Sequence, residues 1–239
     1  MKEVLAALER KGKPATRASF ARYGIEAPRA YGVAMKDIHA VAKAVGKNHA
    51  LAGALWKSGW YEARLLSAFV AEPGRVSPAE MDRWAKDFDS WAVCDTACMH
   101  LFDRTPHAFT KIRAWATRDE EFVKRAAFAL LASVALHDRT APDREFSRCW
   151  PLLERAASDP RNFVKKALVW ALRGIGGRND ALYAEALAVA RRLAASEEPT
   201  ERWVGKGALR ELTSTAHVRR LKARTARVAP SKPAAKKAR

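Results

Sequence analysis

Residues 162–177, NFVKKALVWALRGIGG, decide the fold, because their apolar side chains recur at the spacing of one helix face. The apolar positions follow the intervals i, i+3, i+4, i+7, i+8 and i+11: Val164, Ala167, Leu168, Ala171, Leu172 and Ile175. Such spacing draws a single apolar stripe along an α-helix. The glycines at 174, 176 and 177 predict its end. No segment shows a sustained two-residue alternation, so the sequence predicts an all-α fold.

Five segments repeat the way in which this helix begins, with an aromatic residue followed by small and apolar residues. They start at Trp60, Trp91, Phe122, Phe163 and Trp203, which lie 31, 31, 41 and 40 residues apart. Each interval accommodates two helices and two turns, the period of HEAT-like repeats. Because such a helix pair cannot bury its apolar face alone, neighbouring pairs stack into a curved solenoid. We therefore predict a HEAT-like helical-repeat solenoid with a concave basic groove. An irregular helical bundle is the alternative.

Two helix starts carry the pattern of a capping box. In Ser77-Pro-Ala-Glu80, serine stands at the cap, proline at the first helical position and glutamate where it can reach back. Thr117-Arg-Asp-Glu120 has the same spacing. We expect a helix to begin after each of these two caps.

The charge of the chain indicates a polyanionic partner. Lysine and arginine total 44 against 26 acidic residues, a formal net charge of +18. The last 21 residues carry nine basic side chains and no acidic one, so the remaining body is still positive. Such a balance is typical of proteins that bind DNA, RNA or an acidic membrane surface. We predict a folded domain over residues 1–218 and a basic, mostly disordered tail over 219–239.

Several classes of protein and site are disfavoured. Three cysteines cannot close a disulfide framework, and the N-terminus lacks the apolar stretch of a signal peptide, so we expect a cytoplasmic, nucleoid-associated protein. Residues 126–136, the longest apolar run, are too few to span a bilayer. Cys94 and Cys98 lie one turn apart near His100, but no second ligand pair completes a zinc site, so we expect buried thiols. We predict no metal and no nucleotide cofactor, since no glycine-rich phosphate loop is present.

Three short stretches could carry chemistry. Trp91 and Asp95 are four residues apart and share a helix face. Lys124 and Arg125 stand near the start of an otherwise apolar helix. In the deciding stretch, a third set of side chains lies on or beside one face: Lys165, Lys166, Trp170 and Arg173. Taken singly, these residues have ordinary explanations, namely core tryptophans, an aspartate near a helix start and solvated lysines. Together they can face one groove.

At these residues the chain resembles the AlkD-type DNA glycosylases, the HEAT-like-repeat DNA alkylation repair family. The resemblance runs from about residue 21 to residue 212 and is tightest at the Trp91–Asp95 pair and in the segments that begin at Phe122 and Phe163. It implies excision of N3- and N7-alkylated purines. It further implies that Asp95 is the catalytic aspartate, that Trp91 and Trp170 flank the lesion, and that Arg125 contacts phosphate. Lys124, Lys165, Lys166 and Arg173 are then candidates for DNA binding. The chain departs from the compared sequence at Ser90, where that sequence has tryptophan, and at Ala92, where it has an acid.

The implied reaction requires no general acid, because an alkylated purine ring is already a cationic leaving group. As the glycosidic bond lengthens, positive charge develops on the deoxyribose, where a carboxylate and aromatic faces can stabilise it. Asp95 is expected to supply the negative charge that stabilises the sugar and to position the attacking water. The resemblance also implies that the base can stay stacked, although many glycosylases flip it into a pocket.

Two other functions remain open. The chain could be a non-catalytic HEAT-like protein that binds DNA of unusual shape, such as junctions or bent duplex, or a scaffold that binds proteins. The Trp91–Asp95 pair favours the enzyme, because a protein that only binds DNA has no advantage from a carboxylate that faces phosphates. The positive charge of the body disfavours the scaffold. We expect a monomeric, metal-independent glycosylase of base excision repair whose partner is double-stranded DNA with alkylated bases.

Overall fold

A computed structural model describes residues 1–228, which form helices and no strand. The helices within this range are α1 (Lys2–Lys11), α2 (Pro14–Ser19), α3 (Met35–Val45), α4 (His49–Lys57), α5 (Tyr61–Val70), α6 (Pro78–Lys86), α7 (Trp91–His100), α8 (Ala108–Trp115), α9 (Glu121–His137), α10 (Asp143–Ser147), α11 (Trp150–Ala156), α12 (Asn162–Gly176), α13 (Asp180–Ala194), α14 (Pro199–Leu212) and α15 (Thr215–Val228). Short 3-10 helices cover Phe20–Tyr23, Pro73–Arg75 and Phe102–Arg104. Within residues 1–228, no helix is both long enough and apolar enough to cross a membrane.

Five of these helices, α5, α7, α9, α12 and α14, pack one against the next in chain order. They are the helices predicted from the repeated aromatic segments, so the stacked-repeat architecture is confirmed and the irregular bundle is wrong. Trp91 is the first residue of α7, and Phe122 and Phe163 are second in α9 and α12. Trp203 differs, because Pro199 starts α14 four residues earlier. The shorter helices between them complete the repeats.

The contact between α9 and α12 forms the centre of the core. Residues 126–135 of α9 are all buried, which makes this helix apolar on every side except near its ends. A Cβ atom on Gly174 would lie 3.3 Å from the Cα atom of Ala132, so the glycine lets the two backbones approach closely. Burial of a large side chain such as Phe128 stabilises the fold by about 1.5–3 kcal/mol.

Two of the predicted helix boundaries are confirmed and two are corrected. Ser77 caps α6, and its side chain accepts a hydrogen bond from the backbone N–H of Glu80. Helix α12 ends at Gly176, as the glycines predict. Thr117 caps no helix; its hydroxyl donates to the Ala114 carbonyl, and α9 begins only at Glu121. Gly174 lies inside α12 and does not end it; its lack of a side chain allows close packing against Ala132 of α9.

The predicted boundary at residue 218 falls inside α15. The helix runs to Val228, so its second half belongs to the segment expected to be disordered. Leu221 is buried, and the Arg224 guanidinium donates to the Gly177 carbonyl, so α15 is attached to the end of α12. These two contacts lie in the part of α15 that follows residue 218, a segment of high charge. Residues 229–239 of the predicted tail lie outside the described residues.

Candidate nucleic-acid interface

Two polar residues of the predicted site, Asp95 of α7 and Arg125 of α9, form an ion pair that joins the two helices. The Arg125 guanidinium donates from Nε to Oδ1 of Asp95 at 2.9 Å and from Nη2 to Oδ2 at 2.7 Å. Its Nη1 donates to the carbonyl oxygen of Phe163, at the start of α12, at 2.6 Å. Three of the five N–H donors of the guanidinium are therefore used within the protein. Arg125 connects three consecutive repeats.

Burial sets the electrostatics of this pair. The side chain of Arg125 is 7% exposed and that of Asp95 is 19% exposed. The pKa of Asp95 is raised, because loss of solvent outweighs the opposing charge and hydrogen bonds of Arg125. Loss of solvent also lowers the pKa of Arg125, but Asp95 more than offsets it, and the net shift is upward. Arg125 thus offsets part of the cost of burying the Asp95 carboxyl group and orients it through two hydrogen bonds.

The local sequence explains how Trp91 and Asp95 reach one face. Ser90 accepts a hydrogen bond from the Val93 amide and caps α7, so the helix starts at Trp91. Residue 90, where the compared sequence has tryptophan, is thus a buried cap. The Trp91 indole N–H donates to the Tyr23 carbonyl at 2.9 Å, which fixes the ring against the N-terminal segment. Gly24, with φ of 65°, turns the chain away behind this contact.

These residues surround an open cleft of about 530 Å³, called the Asp95 cleft below. It is lined by Arg22, Tyr23, Gly24, Trp91, Asp95, Arg125, Asn162, Phe163 and Lys166. Of the eight predicted site residues, the cleft brings together Trp91, Asp95, Arg125 and Lys166. The exposed Arg22 and Lys166 give its rim two positive charges.

Trp170 and Arg173 line a different cleft of about 290 Å³, called the α15 cleft below. Its walls are Ala132, Leu136, Trp170, Arg173, Gly174, Gly177, His217, Arg220, Leu221 and Arg224. Trp170 is partly buried and packs against the core. Since Lys166 and Trp170 are four residues apart on α12, the two clefts succeed each other along one helix face. The structure thus puts Lys166 in the Asp95 cleft and Trp170 and Arg173 in the α15 cleft, and these three side chains follow one another along α12.

The three lysines have different surroundings. Lys124 is 16% exposed and pairs with Asp159 at 3.0 Å. The ammonium of Lys165 lies 5.0 Å from the ring centre of Trp203, a cation–π contact to the next repeat. Lys166 is exposed at the Asp95 cleft. Of the three, Lys166 is best placed to meet a ligand without breaking a contact.

Sequence reasoning missed the N-terminal side of the Asp95 cleft. Arg22 and Tyr23 come from the 3-10 helix that precedes Gly24, far from α7 in the chain. Their only signal was that the resemblance to the AlkD-type family already begins at about residue 21. Phe163 was used as a repeat marker, but its ring also lies 5.9 Å below the Arg125 guanidinium.

The cysteines occupy the positions expected of them. Cys94, Cys98 and Cys149 are buried and free. The Sγ atoms of Cys94 and Cys98 contact the carbonyl oxygens of Phe122 and Ala126 on α9, each at 3.6 Å. They pack α7 onto α9. Within residues 1–228, no three cysteine, histidine or acidic side chains come together as metal ligands would.

Comparisons with known proteins identify the family and the fold of this chain. A family model described as DNA alkylation repair enzyme matches residues 4–226. No curated protein matches the chain. Among solved structures, a member of a family described as related to the HEAT-like repeat DNA glycosylases, with affinity for branched DNA structures, superposes with a TM-score of 0.73 at 19% identity, over 87% of this chain and 94% of that one. This likeness confirms the HEAT-like fold. A designed armadillo repeat protein in complex with a (KR)4 peptide is more distant, with a TM-score of 0.38 at 11% identity over 80% of this chain and 81% of that one.

Proposed function

The chain belongs to the DNA alkylation repair enzyme family, and we propose that it is a DNA glycosylase that excises N3- and N7-alkylated purines from duplex DNA. The observation that carries the proposal is the meeting of Asp95 and Trp91 in one open, positively rimmed cleft. A carboxylate and an aromatic face are the two groups that stabilise positive charge developing on a sugar. Both belong to helix α7, which the neighbouring repeats hold in place.

The reaction proposed is hydrolysis of the N-glycosidic bond. The bond between the sugar C1′ atom and the purine nitrogen breaks with its electron pair going to the cationic purine, which leaves neutral. A water oxygen bonds to C1′ and loses its proton. Asp95 stabilises the sugar cation and orients that water. Arg125 is the positioning residue, because its two hydrogen bonds fix both carboxylate oxygens of Asp95.

DNA binding in this proposal rests first on the exposed Lys166 and Arg22 and then on Lys124 and Lys165, which are partly exposed. Lys166 and Arg22 on the rim of the Asp95 cleft would neutralise phosphates on either side of the lesion. Lys124 and Lys165 lie in the first turns of α9 and α12, where the positive end of the helix dipole adds to their charge. Such contacts position the duplex without reading its sequence.

A second function is favoured by one specific observation. Arg125 neutralises Asp95 from inside the protein, and a paired carboxylate repels phosphates less than a free one. A non-catalytic binder of branched DNA could therefore tolerate this cleft. The similar solved structure belongs to a family described as having affinity for branched DNA structures.

One experiment separates the two functions. The full chain is incubated with duplex DNA that contains N7-methylguanine, and released base is measured by chromatography. In parallel, its affinities for a four-way junction and for a linear duplex of equal length are compared. The glycosylase predicts base release that depends on Asp95 and similar affinities for the two DNAs. No release, together with a strong preference for the junction, would establish the binder instead.

A further inference from the structure

Helix α15 forms one wall of the α15 cleft, which contains none of the residues proposed above to act on the glycosidic bond. Four of its side chains face the cleft: His217, Arg220, Leu221 and Arg224. The opposite wall comes from α9 and from the second half of α12. The cleft therefore exists only because residues beyond 214 fold back on α12.

Three guanidinium groups line this cleft, and none of its lining residues in the described part of the chain is acidic. Arg173 pairs with Glu211 at 3.1 Å, but both side chains are 39% exposed, so that pair is weak. Arg224 donates one hydrogen bond to the Gly177 carbonyl and has others to give. Arg220 is exposed and has no ion-pair partner in residues 1–228. The cleft therefore carries a net positive charge, and its arginines have N–H donors that form no hydrogen bond within residues 1–228.

A buried imidazole adds an independent sign of a missing ligand. His217 is 4% exposed, and its Nε2 atom is buried with no hydrogen-bond partner in the described structure. Its ring is fixed by Tyr183, whose ring centre lies 5.9 Å away, and by Gly177, where a Cβ atom would approach Cε1 to 3.3 Å. An unpaired buried polar atom of this kind costs stability unless a ligand or water meets it.

The remaining walls of the cleft are apolar. Trp170 presents part of its ring beside Arg173, and Leu136 at the end of α9 is 42% exposed. An apolar surface next to clustered guanidinium groups fits a sugar joined to a phosphate. A free inorganic anion would make no favourable contact with the apolar part. Arginine also suits phosphate geometry, because its planar fork donates two parallel hydrogen bonds.

We propose that the α15 cleft binds one phosphodiester group of a DNA strand, held by Arg220 and Arg224, while Trp170 packs on the adjoining deoxyribose. Arg173 supplies a third cation and His217 an N–H donor. The inference rests on DNA being the partner, as proposed above, but not on excision. Helix α15 is then part of the DNA-binding surface, and the duplex extends from the Asp95 cleft along α12 to α15.

The test uses Arg220→Ala, because Arg220 is exposed and its removal leaves the attachment of α15 intact. Affinity for an undamaged, fluorescently labelled duplex is measured by anisotropy at several salt concentrations. Loss of one phosphate contact should reduce the slope of log K against log salt by about 0.9. Arg191→Ala is the matched control, since Arg191 is an exposed arginine of α13 that lines neither cleft. This control removes the same charge and should leave the slope close to that of the unaltered protein.

A second variant, His217→Gln, keeps a polar side chain of similar reach at the buried position. It should weaken duplex binding at constant salt while thermal melting verifies that the fold persists. The proposal is overturned if Arg220→Ala and Arg191→Ala change the slope equally, since the effect would then be one of net charge. If the unaltered protein releases no base but Arg220→Ala still lowers the slope, the cleft assignment stands and the glycosylase assignment fails.

Discussion

Arg125 grips Asp95 with two nearly parallel hydrogen bonds, Nε to Oδ1 at 2.9 Å and Nη2 to Oδ2 at 2.7 Å, while its third nitrogen reaches the next repeat. The resemblance assigned phosphate contact to Arg125, whereas the structure uses its guanidinium to fix a carboxylate. The two residues therefore form a single unit. Their mutational effects should be coupled.

Asp95→Asn should reduce excision at least tenfold. The amide lacks the negative charge that stabilises the sugar cation, and removal of one such group costs roughly 2–4 kcal/mol of transition-state stabilisation. The measurement is single-turnover base release from N7-methylguanine duplex with enzyme in excess. Glu154→Gln is a suitable control, because Glu154 is a carboxylate paired with Arg192 that lines neither cleft. Unchanged excision by Asp95→Asn would remove Asp95 from the reaction.

Arg125→Ala should lower stability as well as activity. It leaves Asp95 partly buried without its cation, and removal of one partner from a buried pair typically costs about 3–5 kcal/mol. For a chain of this size, that corresponds to a fall in Tm of roughly 6–20 °C. Arg118→Ala, which breaks the exposed pair with Glu120, should change Tm by little. A double-mutant cycle with Asp95→Ala measures the coupling directly.

The opposite pattern for Arg125→Ala would support the role implied by the resemblance. If Tm stays constant and damaged and undamaged duplex are bound equally less well, Arg125 contacts phosphate in the complex. The guanidinium would then exchange Asp95 for DNA on binding.

The sequence predicted the architecture well because the fold depends on local patterns. The stripe from Val164 to Ile175 and the recurring aromatic residues are readable without tertiary information. The site was predicted only in part. Spacing placed Trp91 beside Asp95, but it could not show that Arg125 turns inward, since that depends on packing between α7, α9 and α12.

The C-terminal helix shows the other limit of sequence reasoning. High charge and few large apolar residues predict disorder, whereas His217, Leu221 and a backbone contact of Arg224 attach α15 to the repeats. None of these contacts leaves a periodic signal. Trp170 and Asp95 were predicted to face one groove, and the sequence could not show that they line two successive clefts, since the α15 cleft depends on where α15 lies.

Trp170→Ala should affect excision more than stability. Trp170 is partly buried at the α15 cleft, so its truncation removes a face for the sugar and only part of a core contact. Trp84→Ala is the matched comparison, because Trp84 is 4% exposed and stacks on Trp56 with ring centres 4.1 Å apart. A core tryptophan typically costs about 3–5 kcal/mol on truncation. If both variants lower Tm equally and Trp170→Ala retains excision, Trp170 belongs to the core.

Two truncations should show how much the second half of α15 contributes to the stability of the repeats. Deletion of residues 219–239 removes Leu221 and the Arg224 hydrogen bond, so Tm should fall and the α15 cleft should be lost. Deletion of residues 229–239 keeps both contacts and should leave Tm within a few degrees. Circular dichroism melting measures both. Equal Tm values for the two truncated proteins would show that α15 adds no stability to the repeats.

Affinity for DNA should rise as pH falls, through His217. Burial, the largest cause, lowers the pKa of this imidazole below its ordinary value, so it is neutral at pH 7 in the free protein. The charged groups around it come from three helices: Arg173 of α12, Glu211 of α14, and Arg220 and Arg224 of α15. A bound phosphodiester is negative and favours the protonated imidazole, so the complex binds more protons than the free protein. Affinity therefore gains as pH drops below about 6.5, the ordinary pKa of histidine, towards the lowered value.

The measurement of this pH dependence is anisotropy titration of undamaged duplex between pH 5.5 and 8 at constant ionic strength. His217→Gln should flatten the pH dependence, because glutamine cannot take up the proton. His107→Gln serves as the control, since His107 lies on neither cleft and its removal should leave the curve unchanged. An identical pH dependence in the unaltered protein and in His217→Gln would show that the imidazole does not meet the bound strand.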